Sequence, residues 1–402
     1  MIPKIALDTV GCKLNQAESQ LLGRQFARAG YRLVAPDDGA DVYVLNTCTV
    51  THVADGKCRR LLKSARQRNP NALVVAIGCY AQRDRQELSK VKGVDLVLDN
   101  SQKMGLLSWL EQSGQLIRPK TASTQADFRT RAFIKVQDGC NKFCSYCIVP
   151  LVRGREKSVP LDRVIDEVKQ LVADGYKEVV LTGTEIGAYN DSRVGLKGLL
   201  QRILEETGVA RLRLSSLQPQ EITTELIGLW QDQRLCRYFH LSLQSGSDSV
   251  LKRMERRYTT AEYQRAVDLI RGVVPGVAIT TDVIVGFPGE TEAEFKQSYS
   301  FAKQMQFARI HVFSYSPRPG TKAADMSQQV EDNLKKERSR RMLALGRACL
   351  RNFRQKFLGK TLTVLWEKES GGLWSGLTDN YIRVYTKSDK DLTNQLLPFR
   401  LS

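Results

Sequence analysis

Short apolar runs alternate with amphipathic stretches along the first hundred residues. Lys4–Leu7, Val42–Leu45, Leu73–Ile77 and Asp95–Leu98 are nearly continuous in apolar residues and read as buried strands. Segments about 16–29, 52–68 and 82–90 carry apolar positions at helical spacing between them. That alternation implies an open parallel α/β domain over 1–112. Residues 113–130 lose the periodicity and read as a linker.

The alternation restarts at 131. Strands are predicted at Ala132–Val136, Glu178–Leu181, Arg211–Leu214, Phe239–Leu243, Ala278–Val285 and Arg309–Phe313, with helices such as Leu161–Ala173 and 292–306 in the gaps. A closed eight-fold barrel needs about 250 residues. The stretch 131–330 is shorter, so a partial (βα)6 TIM-like barrel is expected. Over 331–402 a basic helix (332–357) leads into short alternating strands at Thr361–Trp366, Leu373–Leu377, Tyr381–Tyr385 and Gln395–Phe399. Gly371-Gly372 and Asp379-Asn380 supply turns, which suggests a small C-terminal β-barrel or half-barrel.

Charge changes this picture more than composition does. No apolar run approaches the ~20 residues of a membrane span, and the N-terminus lacks a signal-peptide pattern, so a cytoplasmic protein with no membrane partner is expected. The net charge is +18. Residues 335–402 alone hold 15 Lys/Arg against 6 Asp/Glu, and 57–68 is a second basic stretch. Such concentration points to a polyanionic partner, most simply nucleic acid. In a reducing compartment the nine cysteines favour metal ligation over disulfides where they cluster.

Two groups of three cysteines carry the candidate chemistry. Cys140, Cys144 and Cys147 lie in a C-x3-C-x2-C run, which offers three thiolates to one metal site and leaves a coordination position open. A cubane cluster takes about one thiolate per iron, so three leave one iron for a small molecule. Cys12, Cys48 and Cys79 each fall just past a predicted strand of the first domain. In an open parallel sheet those strand ends share one edge, so residues far apart in sequence converge there. Cys58, Cys236 and Cys349 lack such partners and read as ordinary thiols. His52, His240 and His311 are weak ligand candidates.

The run Asp138-Gly-Cys-Asn-Lys-Phe-Cys-Ser-Tyr-Cys147, with Thr9-Val-Gly-Cys-Lys-Leu-Asn15, Asn46-Thr-Cys-Thr-Val50 and Gly78-Cys-Tyr-Ala-Gln82, resembles the methylthiotransferase branch of the radical S-adenosylmethionine enzymes. Leu181-Thr-Gly-Thr-Glu185, Leu241-Ser-Leu-Gln244, Met254-Glu-Arg-Arg-Tyr258 and Asp282–Glu290 are similar to further blocks of that family, and the C-terminal module resembles a TRAM domain. Gln16-Ala-Glu-Ser19 and the run after Cys48 most resemble enzymes acting on N6-threonylcarbamoyladenosine at tRNA position 37. Isopentenyladenosine 37 or a ribosomal-protein aspartate are the alternatives within the branch.

The resemblance implies two 4Fe-4S clusters. Cys140/Cys144/Cys147 would bind S-adenosylmethionine through an open iron, leading to a 5′-deoxyadenosyl radical, and Cys12/Cys48/Cys79 would hold an auxiliary cluster that presents sulfur. It also implies cofactor contacts from Gly183, Thr184, Glu185, Ser215, Gln244 and Phe287. Glu185 is expected to accept from the cofactor's ammonium. Arg256, Arg257 and Tyr258 become candidates for contacting the anticodon loop. The expected partners are the tRNA anticodon stem-loop, an electron donor such as flavodoxin or ferredoxin, and a sulfur source. Gln218 stands where the family often has Glu, which weakens a role for that position. Two other readings compete: an RNA-binding protein with structural metal sites and no catalysis, and a radical enzyme using only the first cluster.

Overall fold

The computed structural model describes residues 2–119 and 130–401. Residues 113–119 of the expected linker hold no helix or strand, and 120–129 lie outside the described residues.

The N-terminal domain is a five-stranded parallel sheet. Its strands are β1 (Lys4–Thr9), β2 (Arg32–Val34), β3 (Val42–Thr47), β4 (Leu73–Gly78) and β5 (Leu96–Leu98), in the order β2-β1-β3-β4-β5. The period-two alternation of side chains fills two layers. Ile5, Val42, Val44 and Ile77 pack with Leu22 and Phe26 of α1 (Lys13–Arg28), and Tyr43, Leu45 and Ala76 pack with Leu62 of α2 (His52–Arg68) on the other face. The order reverses between β1 and β3, and ligands collect at such a reversal. β2 was not expected. It is a three-residue edge with an exposed first residue, too short to show a period.

The central domain is an open barrel of six parallel strands. These are β6 (Arg131–Lys135), β7 (Glu178–Thr182), β8 (Arg211–Leu214, resuming as Ser216–Leu217), β9 (Tyr238–Leu241), β10 (Ala278–Val285) and β11 (Arg309–Ser314). β8 changes partner at Ser215: Leu214 pairs with β7, whereas Ser216 pairs with β9. An open barrel leaves two edges with unpaired backbone groups, and both are covered here. α1 lies along β6, where the Gln20 side-chain oxygen accepts from Phe133 N at 2.8 Å. The long helix Asp332–Gln355 lies along β11, and Gly346 permits close approach to Ile310, which a Cβ there would meet at 3.4 Å.

The C-terminal strands Thr361–Ser370, Leu373–Thr378, Arg383–Thr386 and Leu396–Arg400 form an antiparallel sheet with the first in the interior and the last two named at its edges. Among the described residues it is an open half-barrel rather than a closed barrel. It also closes the floor of the central barrel. Arg211 donates to Leu377 O (3.0 Å), Arg213 to Asp379 O (2.8 Å), and Tyr238 stacks on Tyr381 with centroids 4.5 Å apart. Arg213 and its partner Glu178 are fully buried there. The sheet is therefore part of the barrel's packing and not a detachable module.

Candidate active site between the two sheets

The N-terminal trio is assembled by topology. Cys48 and Cys79 follow the last residues of β3 and β4 directly, and Cys12 follows β1 by three residues. Gly11 (φ +109°) lies so close to Cys48 that a Cβ on it would sit 2.6 Å from the Cys48 Cβ. Gly78 (φ +98°) turns the chain from β4 into the helix Cys79–Arg83, where a Cβ would meet Asn46 Oδ1 at 2.4 Å. Burial pushes the Cys48 thiol up to about 12, and the thiols of Cys12 and Cys79 add to that rise. Burial raises Cys12 too, against the pull of Arg153. Cys12 keeps an opening to solvent, whereas Cys48 and Cys79 are buried.

The second trio is assembled by a loop. After β6, Gly139 has φ +72° and lies so close to the neighbouring backbone that a Cβ on it would fall 2.0 Å from Arg155 O. Cys140 N donates to Gly154 O (3.1 Å), Cys147 N to Cys144 O (2.9 Å), and Ser145 N to Met254 O (3.1 Å). Burial pushes Cys140 up to about 12 and Cys147 up to about 11. Cys12, Cys48, Cys140 and Cys147 thus keep their protons at neutral pH without metal, and metal binding must displace those protons.

The two cysteine-bearing segments meet at Cys79. Cys79 packs against Ile148, which directly follows Cys147, and against Val152 in the short helix after it. Asn100 Nδ2 bridges the gap, donating to Val152 O (2.6 Å) and lying 3.8 Å from Cys79 Sγ. A buried charge network welds the interface. Glu18 of α1 pairs with Lys103 (2.6 Å), Lys135 (3.2 Å) and Arg153 (3.1 Å), while Asp138 pairs with Lys135 and Arg153. Three cations against two carboxylates leave one positive charge in excess. Arg153 feels Cys79 and Cys12 as well as Glu18 and Asp138, so the excess faces the thiols. Sequence reasoning missed this arginine; its only signal was a lone basic residue in the apolar stretch after Cys147.

A cavity of about 170 Å³ opens between the domains, lined on one side by Val50 and Thr51 and on the other by Tyr146, Cys147, Gln244, Asp282, Ile284 and Tyr315. Gln244 has φ +65°, unusual for a side chain of its kind, and its backbone bridges to Asp282 O and Ile284 N.

The other candidate residues sort unevenly. Thr184 Oγ1 and Ser215 Oγ are buried hydroxyls without a hydrogen-bond partner among the described residues. Buried polar atoms are rarely left so, and their orphaning fits a site that takes a polar ligand. Gly183 packs on Gln137, where a Cβ would meet Oε1 at 2.9 Å. Glu185 is already engaged: Gln218 Nε2 donates to it (2.8 Å), the Cys140 thiol lies 3.4 Å away, and the Lys142 ammonium pairs with it. That ammonium shows that the carboxylate accepts an alkylammonium partner at this position. Glu221 alongside is pushed up to about 8 by burial and by Glu185. Gln218, given little weight from sequence, joins Glu185 to Arg256.

Two expectations change. Phe287 is wholly buried among Val250, Met254, Ile284, Tyr315 and Ala323, with its ring 6.4 Å from Tyr146, so it backs the cavity wall and does not line it. Arg256 and Tyr258 turn inward. Arg256 donates toward Cys144 Sγ (3.3 Å) and to Tyr258 OH (3.1 Å), and Tyr258 donates to the Ser242 and Leu243 carbonyls. They support the cysteine loop; only Arg257 of the three is exposed.

Residues 134–302 match the Radical SAM superfamily, and residues 4–99 match the Uncharacterized protein family UPF0004. The threonylcarbamoyladenosine tRNA methylthiotransferase of Aquifex aeolicus is 41% identical over 97% of this chain and 98% of its own length. The enzyme of that description from Bacillus subtilis is 36% identical over 99% and 93%. The tRNA-2-methylthio-N(6)-dimethylallyladenosine synthase of Aquifex aeolicus is 32% identical over 100% and 96%. Among solved structures, the radical S-adenosylmethionine methyltransferase TsrM of Kitasatospora setae superposes with a TM-score of 0.58 at 16% identity, over 81% of this chain and 77% of that one, which shows a shared fold. No helix among the described residues is long and apolar enough to cross a membrane. Relatives that match almost end to end, together with the matched Radical SAM region, show that this protein belongs to the radical S-adenosylmethionine methylthiotransferases, enzymes that use that cofactor with a 4Fe-4S cluster.

Proposed function

We propose that the chain is the tRNA methylthiotransferase that places a methylthio group on C2 of N6-threonylcarbamoyladenosine 37. The observation that carries this reading is the meeting of the two cysteine-bearing segments at the domain boundary, with Cys147 lining the inter-domain cavity and Cys79 packed on Ile148 and Val152. Sulfur insertion needs a hydrogen-abstracting centre and a sulfur-presenting centre within reach of one base, and the relatives named for threonylcarbamoyladenosine supply the substrate.

Cys140, Cys144 and Cys147 would hold the cluster that binds S-adenosylmethionine, and Cys12, Cys48 and Cys79 a second 4Fe-4S cluster. When bound, these groups supply one-electron cleavage of the cofactor and a site for sulfur. The chain's own residues do the rest. Glu185, Thr184 and Ser215 offer polar atoms to the cofactor, and Glu185 would exchange Lys142 for the cofactor's ammonium. Gln244 and Ile284 wall the adenine side, and Tyr146 with Phe287 behind it keeps water out, as reactive intermediates require. Arg153 offsets the negative charge of the sulfur ligands.

The basic face of the helix Asp332–Gln355, with exposed Lys336, Arg340, Arg347, Arg351 and Arg354, fits the phosphates of an anticodon stem-loop. A one-electron donor such as flavodoxin or ferredoxin, and a sulfur source, complete the partners. Nucleoside mass spectrometry of tRNA from cells lacking the protein tests the reading. The 2-methylthio form of threonylcarbamoyladenosine should vanish and return with the wild-type chain. Its persistence, or loss of the 2-methylthio form of isopentenyladenosine instead, would reject the assignment.

A further inference from the structure

The cavity has two electrically different ends. At the barrel end stands Asp282, whose carboxyl is held below its usual range against burial by a hydrogen bond from His240 (3.2 Å). At the other end, Val50, Thr51 and Ser316 form the rim, and a second charged network lies directly behind it. Arg318, wholly buried, donates to Thr49 O (3.1 Å) and pairs with Asp55 (2.9 Å), and Arg83 pairs with the same carboxylate (2.8 Å). Arg83 and Arg59 share Glu87. Three guanidiniums thus meet two carboxylates, and one positive charge is left over at this rim.

His52 carries that charge to the surface. Arg318 Nη2 lies 2.9 Å from His52 Nδ1. A guanidinium only donates, so Nδ1 must be the unprotonated acceptor and the ring proton sits on Nε2. The residue is exposed, its ring lies beside the Pro317 carbonyl, and its backbone N donates to Ser316 Oγ at 3.1 Å, which fixes it where the two domains meet. A neutral imidazole N–H polarised by a buried guanidinium is a donor suited to an anion. The hydroxyls of Thr51 and Ser316 flank it, and each already accepts a backbone N–H and so keeps its own proton to donate.

We infer that His52, held by Arg318 and flanked by Thr51 and Ser316, is the site that receives the carboxylate of the threonylcarbamoyl group and so sets substrate choice. This rests on the proposed function and deepens it. Threonylcarbamoyl carries a carboxylate and a hydroxyl, whereas the dimethylallyl group is apolar and gains nothing from this rim. Asp282 repels a carboxylate from the opposite end, so the substituent has one favourable orientation in the cavity.

The test compares anticodon stem-loops carrying threonylcarbamoyladenosine as the free acid or as its neutral methylamide, with dissociation constants measured at one ionic strength on the full chain. A hydrogen bond to a charged group makes the acid bind about tenfold or more tightly to wild type than the amide does. In His52→Ala that preference falls to within about twofold, because the acid loses affinity while the amide does not. His52→Gln, which keeps an N–H donor, recovers part of it. A wild type that binds both alike, or a His52→Ala variant that keeps the full preference or weakens both ligands equally, overturns the inference. Methylthiolation of the acid stem-loop by wild type is scored separately: if it occurs while the preference is absent, the rim assignment alone fails. If only a dimethylallyladenosine stem-loop is methylthiolated, the proposed function fails with it.

Discussion

The two cysteine trios reach the boundary between the domains by opposite routes. The barrel trio comes from one eight-residue segment, pinned nearby by Gly154 O on Cys140 N and from across the barrel by Met254 O on Ser145 N. The N-terminal trio comes from three strands and depends on the order β1-β3-β4 and on two glycines. Assembly within one segment keeps the three cysteines close in sequence whatever the order of the strands. Assembly by topology fails when any one strand shifts, but it lets one sheet edge be presented whole to the neighbouring domain.

The largest effect expected from that contrast is functional. Cys12→Ala, Cys48→Ala and Cys79→Ala should each reduce methylthiolation to background while cleavage of S-adenosylmethionine continues, whereas Cys144→Ala should stop both. Quantifying 5′-deoxyadenosine beside the modified nucleoside checks this, and joint loss of both activities in the first three variants would erase the division of labour. Next comes the weld between the trios. Glu18→Gln removes the one carboxylate shared by two buried cations, Lys103 and Arg153, and half-buried Lys135, and breaking such a network costs about 3–5 kcal/mol. Burial raises the Glu18 carboxyl, but its three cations hold it well below the usual range, so its contribution is present above about pH 4.5 and is lost as pH falls. Urea unfolding at pH 7 and at pH 4 should show a larger difference between wild type and variant at the higher pH.

Glycine replacements separate the routes more finely. Gly78→Ala forces a Cβ to 2.4 Å from Asn46 Oδ1 and should cost the N-terminal trio its metal, leaving the barrel trio loaded. Gly139→Ala, 2.0 Å from Arg155 O, should do the reverse. Alkaline stability gives a smaller signal common to both trios. The thiols of Cys48 and Cys140, at about 12, and of Cys147, at about 11, keep their protons in the folded metal-free chain at pH values where an unfolded chain, near 9.0, has lost them. Metal-free protein should therefore lose stability as pH rises from about 9, and cluster-loaded protein should be spared that part of the slope. The smallest effect is electronic. Arg256→Met removes the donor beside Cys144 Sγ and should lower that cluster's potential by a few tens of millivolts, read by a spectroscopic redox titration.

Much of this architecture was legible in the sequence, because apolar periodicity and cysteine placement are local. The six barrel strands and the three strand ends bearing Cys12, Cys48 and Cys79 lie where the pattern put them. What escaped were contacts between distant polar residues. Arg153 with Glu18, Arg318 with His52, and Arg211 with the carbonyl of Leu377 join residues 135, 266 and 166 positions apart. In sequence each is an ordinary surface-type residue, and nothing local marks it as buried. Arg256 and Tyr258 escaped for the same reason: a short Arg-Arg-Tyr run reads as an exposed RNA contact until the loop beneath it is seen.

Iron and acid-labile sulfide per chain, counted after anaerobic reconstitution, test the central claim most directly. Two separate trios predict about eight irons in wild type and about four in a triple alanine variant of either trio. An N-terminal triple variant (Cys12, Cys48 and Cys79 all to Ala) that keeps the full wild-type iron content would contradict it.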